Sequence, residues 1–149
     1  MNILNLSNLK LKTFTEQDAL DYCQINNINP DNIYELYLGY NELTDITGIK
    51  LFKNLEELDL QYNGIKDITI LKNLNKLEIL ILYNNQIKDI SVVKNLNKLE
   101  VLYIDNLELE SDQIQYIQSL NNLNTLYCRN GFKDKSIIKQ LDNNINIFK

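Results

Sequence analysis

The sequence repeats itself. The stretch LDLQYNGIKDI, residues 58–68, returns as LILYNNQIKDI at 80–90 and more loosely as LYLGYNELTDI at 36–46. Ile33, Leu55, Leu77 and Leu99 stand 22 residues apart; Leu123 follows after 24 and Ile145 after 22 more. A unit this short cannot close a core of its own. A chain with such a period therefore folds by stacking one unit on the next.

Aligned on those marks, the units read IYELYLGYNEL, LEELDLQYNGI, LEILILYNNQI, LEVLYIDNLEL and LNTLYCRNGFK, with a stub INIFK at the end. The first three fit L-x-x-L-x-L-x-x-N-x-L with conservative exchanges. With the tails TDITGIKLFKN, KDITILKNLNK and KDISVVKNLNK, the pattern over residues 33–149 resembles the 22-residue class of leucine-rich repeats. Bacterial internalins and a regulatory subunit of a eukaryotic phosphatase carry that class. The resemblance implies an α/β solenoid: a right-handed superhelix with a concave parallel β-sheet and short convex 3-10 or α-helices.

The residues supply the physical reason. Alternation at Leu58 and Leu60, or Leu80 and Leu82, suits a short strand that sends every second side chain to one face. Leu55, Leu58, Leu60, Ile65, Ile68, Leu71 and Leu74 then converge inside one coil, and the next coil repeats the set. Asn41, Asn63 and Asn85 recur where the strand turns away, placed for their amides to satisfy backbone groups of adjacent turns, as in the asparagine ladder of such repeats. The ladder position falls on Leu107 and Gly131 in the last two units, with Asn106 and Asn130 one place earlier. On the return paths Thr47, Thr69 and Ser91, after Asp45, Asp67 and Asp89, are expected as helix caps. SDQIQYIQSL in the fourth unit predicts a true helix.

The expected organisation is a single domain. Residues 1–32 form a cap of one strand (Leu4, Leu6) and a helix opened by Thr15 and Asp18, with Ala19, Leu20 and Cys23 as its buried stripe. Residues 33–122 form four repeats. Residues 123–149 form a last degenerate repeat and a closing helix and strand.

Once the frame letters are removed, the side chains left on the concave side are the evidence about function. Candidate partner-binding residues are Glu35, Tyr37, Tyr40, Glu57, Asp59, Tyr62, Ile79, Ile81, Tyr83, Val101, Tyr103, Asp105, Tyr127 and Arg129. Six of the nine tyrosines fall there. Tyrosine buries a large rigid ring at small entropic cost and keeps a hydroxyl, so it anchors protein interfaces. Strand propensity offers a second reading, because parallel strands ~4.8 Å apart let Tyr40 stack near Tyr62, or Tyr103 near Tyr127, with no partner present. Glu35, Glu57, Asp59 and Asp105 oppose Arg129 alone, which points to a protein or peptide partner with basic and apolar groups.

Other classes fit poorly. A net charge of −5 works against nucleic acid and anionic membrane. No segment is apolar enough to span a bilayer, and the start lacks a signal-peptide pattern, so the chain reads as cytoplasmic. There is no histidine, and Cys23 and Cys128, both read as reduced, build neither a zinc site nor a cysteine nucleophile. No phosphate-cradling glycine loop is present. The aspartate row is one strand spacing apart, which is no coordination cage. Glu57 and Asp59 sit on an open surface that excludes no water. No enzyme activity, cofactor or metal is expected, and the oligomeric state is expected to be monomer or weak homo-oligomer. The alternatives to a recognition module are a self-associating scaffold and a surface or effector adhesin of the internalin kind.

Overall fold

A computed structural model describes residues 2–141 and 144–149. Seven strands of three residues each, β1 (Ile3–Asn5), β2 (Glu35–Tyr37), β3 (Glu57–Asp59), β4 (Ile79–Ile81), β5 (Val101–Tyr103), β6 (Thr125–Tyr127) and β7 (Asn146–Phe148), form one parallel sheet in chain order. The central residues Leu4, Leu36, Leu58, Leu80, Leu102, Leu126 and Ile147 lie in one register row. Their side chains point inward to a single continuous core that runs from Leu4 to Leu141. Each coil after the first returns through a 3-10 turn, at Thr47–Leu51, Thr69–Asn73, Ser91–Asn95, Ser111–Gln113 and Lys135–Gln140.

The asparagine ladder is present where the sequence places it. The Asn63 amide donates to the carbonyls of Leu38, Leu60 and Gln61, and its oxygen accepts from the Leu43 N–H at 2.9 Å. Asn41 and Asn85 repeat the arrangement one coil to either side. At the next rung Leu107 is buried in place of an amide. There the backbone closes the gap: Glu108 and Leu109 donate to the carbonyls of Asn130 and Gly131, and Leu109 bridges Phe132.

Helix α1 (Glu16–Ile25) starts with the expected capping box between Thr15 and Asp18. It packs on the Thr47–Leu51 turn at Gly48, where a Cβ would stand 2.5 Å from the Thr15 carbonyl oxygen. Only a residue without a side chain permits that approach.

Five expectations are corrected. Leu20 is exposed, because the docked face of α1 is narrow and is filled by Ala19 and Cys23. On the return paths the capping roles are reversed: the carboxylates of Asp45, Asp67 and Asp89 accept from the N–H groups of Thr47, Thr69 and Ser91 at 2.7–2.9 Å. Asp134 does the same for Ser136. The helix of the fourth unit is one α-turn, α2 (Ile114–Gln118), entered through 3-10 backbone. The closing helix is 3-10 rather than α, with Asp142 and Asn143 of that segment, like Met1, outside the described residues. Finally, Thr125 pairs with Asn146, a step of 21 residues, so Ile145 is not the counterpart of Leu123.

Because Asn63 satisfies backbone groups of two coils at once, Asn63→Ala strands several of them. It should lower unfolding free energy by about 3 kcal/mol, read as a drop in the urea midpoint. Lys72→Ala on the exposed convex side should leave that midpoint unchanged.

Candidate functional site

The register that buries the leucines sends the odd members of each strand to the concave face. Ile3, Glu35, Glu57, Ile79, Val101, Thr125 and Asn146 form one row, and Asn5, Tyr37, Asp59, Ile81, Tyr103, Tyr127 and Phe148 the next. Backbone pairing continues past the strands, for example from the Tyr62 N–H to the Tyr83 carbonyl and from the Asn106 N–H to the Arg129 carbonyl. The order of the face therefore extends to Gln61, Tyr83, Asp105 and Arg129.

Six aromatic rings make an unbroken ribbon across this face. Tyr40 stacks on Tyr62 at 4.6 Å, Tyr62 meets Tyr83 edge-on at 5.4 Å, and Tyr83 lies tilted 6.5 Å from Tyr103. Tyr103 stacks on Tyr127 at 4.1 Å, and Tyr127 on Phe148 at 4.5 Å. The Tyr40–Tyr62 and Tyr103–Tyr127 stacks are those expected from strand spacing. The ribbon runs diagonally, starting in the turn that follows β2 and ending within β7. Burial pushes the Tyr83 hydroxyl up to about 12 and raises that of Tyr103, so both remain protonated donors at neutral pH. The Tyr83 hydroxyl donates to Gln61 Oε1.

Tyr40 and Tyr62 have φ of 56° and 49°. Asn84, Asn106 and Asn130 hold the same left-handed position in the following coils. Asparagine tolerates that conformation, whereas a tyrosine there carries a cost of ~1–2 kcal/mol. No glycine among the described residues has a positive φ, so Gly64 does not supply the turn's left-handed residue. The three asparagines form a second ladder, Asn106 Nδ2 donating to Asn84 Oδ1 at 2.9 Å and Asn130 Nδ2 to Asn106 Oδ1 at 3.2 Å.

On one side of the ribbon, over the first two repeats, lies an acidic corner. The Tyr37 hydroxyl donates to Glu35 Oε2 at 2.6 Å, and burial together with Glu35 and Glu57 holds that hydroxyl well above its usual range. Glu57 is raised by partial burial and by the charges of Glu35 and Asp59, against a lowering hydrogen bond from Tyr37. Asp59 is on the expected face yet only 8% exposed, and its carboxylate accepts from the Gln61 N–H and Nε2. Gly39 makes room for it, since a Cβ there would fall 3.1 Å from Asp59 Oδ2.

On the other side, over the last two repeats, Arg129 joins Tyr62, Tyr83, Asn84, Tyr103, Asp105, Asn106 and Tyr127 around a shallow depression. Asp105 Oδ1 accepts from the Arg129 backbone N–H at 2.9 Å. Between the two corners Ile79, Ile81 and Val101 form a half-buried apolar centre. Phe148, half exposed at the end of the ribbon, is absent from the expected set. Its only sequence signal is the alternation in NIF, which the 22-residue register hides.

Among the described residues no group of three or more His, Cys, Asp or Glu side chains is placed to hold a metal ion. No helix there is long and apolar enough to cross a membrane. Cys23 and Cys128 are free and buried, and burial pushes the Cys128 thiol up to about 11.

Comparison with known proteins agrees with this architecture. Residues 31–73 match the family model for leucine-rich repeats in two copies. The fold is similar to an internalin (inlF) of Listeria monocytogenes, with 31% identity, a TM-score of 0.71 and coverage of 79% of this chain and 35% of that one. It is also similar to internalin C2 of the same species (24% identity, TM-score 0.66, 99% of this chain and 79% of that one). A third likeness is to the leucine-rich repeat ectodomain of the receptor kinase SOBIR1 from Arabidopsis thaliana (25%, 0.61, 87% and 68%). The chain spans about a third of the length of the first of these. No curated protein matches it by sequence. Residues 31–73 are thus a pair of leucine-rich repeats, and the fold as a whole is the solenoid of such repeats. Proteins built on this fold generally mediate protein–protein interaction and are typically non-enzymatic.

Two outcomes follow from the geometry. Tyr40→Asn and Tyr62→Asn trade a stack worth ~1 kcal/mol for relief of a comparable backbone cost. Each should therefore unfold within ~1 kcal/mol of the parent in chemical denaturation. For Glu57 the folded pKa lies above the unfolded one, so its contribution turns unfavourable as pH rises through that window. Glu57→Gln should then be more stable than the parent at neutral pH, and the gain should vanish below the unfolded carboxyl range when thermal midpoints are compared across pH.

Proposed function

We propose that this protein is a recognition module that binds a protein or peptide partner on its concave face. The aromatic ribbon carries the contact, and the acidic corner selects for basic groups. The observation that supports this most is the pair of left-handed tyrosines. The same turn in later coils uses asparagine, so Tyr40 and Tyr62 hold large rings on this face at a local conformational cost. The stacked rings turn their faces to one another, and those of Tyr40 and Tyr62 leave a half-exposed rim. That rim suits polar and apolar groups of a protein surface. The half-buried Ile79, Ile81 and Val101 supply an apolar centre beside it, and Glu35 and Glu57 a basic-selective rim.

Affinity capture from a lysate of the source organism tests this, comparing the parent with a Tyr40→Asn, Tyr62→Asn, Tyr103→Ala variant and a convex Lys72→Glu variant. The expected result is a prey retained by the parent and by Lys72→Glu and lost with the triple variant. A prey kept by the triple variant and lost with Lys72→Glu would move the interface to the convex side.

A further inference from the structure

We infer that the partner segment is an extended peptide of two-signed charge lying diagonally across the sheet, its basic group at Glu35 and Glu57 and its carboxylate at Arg129. This rests on the concave-face reading above and adds the chemistry and direction of what is bound. Arg129 is the only arginine in the chain and is exposed. The salt bridges among the described residues are Lys50–Glu16 and Lys133–Glu110, and the Arg129 guanidinium takes part in neither. Asp105, the one acidic group in its depression, already accepts from the Arg129 backbone N–H. That bond holds the backbone of Arg129 and leaves the side-chain fork open, and a guanidinium fork matches a carboxylate in two-point geometry.

The acidic corner is likewise unpaired by any cation among the described residues, and Glu57 bears the repulsion of Glu35 and Asp59. The two corners lie on opposite sides of the ribbon. From Glu57 on β3 to Arg129, two residues beyond β6, the path crosses three strand spacings of ~4.8 Å and four residues of ~3.3 Å along the strand, roughly 20 Å on the diagonal. That is about six residues of extended chain. The path passes over Ile81 and crosses the ribbon between Tyr83 and Tyr103, where the rings are tilted and 6.5 Å apart, the widest interval in it. The apolar side chains of the segment fall there. Opposite charges at the two ends fix register and reject a segment laid the other way, which is the usual work of charge at an interface.

A phage-displayed random dodecapeptide library selected on the intact protein tests the idea, with selected peptides titrated against variants. Enriched peptides should carry a Lys or Arg and an Asp or Glu about six residues apart with apolar residues between. They should lose binding to the Tyr40→Asn, Tyr62→Asn, Tyr103→Ala variant. Arg129→Glu should weaken them about fivefold or more, and removing the peptide's acidic residue should cost nothing further in that background. Glu57→Lys should show the same coupling to the basic residue. Peptides that need the rings but ignore Arg129→Glu would overturn the two-signed segment and leave the concave-face reading standing. Peptides indifferent to the ring variant, or no enrichment at all, would overturn both.

Discussion

Every feature of this protein depends on backbone groups in one coil being satisfied by the next. Strands of three residues have no stability alone; here β2 to β6 are each paired with neighbours on both sides in the same register, and β1 and β7 with one. The asparagine amides extend that pairing through the turn, where no strand remains to do it. Asn63 reaches carbonyls in its own coil and the preceding one while receiving an N–H from the turn before. A coil is therefore well formed only while its neighbours are. The two coils where the amide is missing, at Leu107 and Gly131, are bridged to each other by backbone, Leu109 donating to the Gly131 carbonyl and accepting from the Lys133 N–H.

The same spacing builds the concave face. Parallel strands in register place equivalent side chains at the strand separation, close to the distance at which aromatic rings stack. Rings recurring on one side of the sheet thus assemble into a ribbon without any special device. The device lies in its course. Tyr40 and Tyr62 hold the ribbon in the turn, Tyr83 carries it across, and Tyr103, Tyr127 and Phe148 continue it within the strands. The result is a diagonal that divides an acidic corner from the depression that holds Arg129 and Asp105.

Much of this was legible in the residues. The period located the five strands β2 to β6, the ladder asparagines and the inward leucines, and the alternation of Leu4 and Leu6 located β1, because burial and buried amides leave a strict letter code. The polar roles were harder to read. Asp45 and Thr47 are both capable of capping, and which one turns inward depends on the backbone of the 3-10 turn. Asp59 faces the concave side as alternation requires, but Gly39 opens a recess in the neighbouring coil into which its carboxylate settles. Phe148 was hidden because the last coil is one residue short of the period.

The sequence by itself determined the repeat, its inward face and the letters free to face outward. These follow from periodicity, and periodicity is a property of the chain. Tertiary structure alone decided how those outward letters relate to one another: which tyrosines stack, which rings sit on left-handed backbone, that Asp59 is occupied and that Arg129 is exposed. Residues 22 or 24 positions apart become neighbours only when the coils stack, so their mutual distances are not written in any one coil.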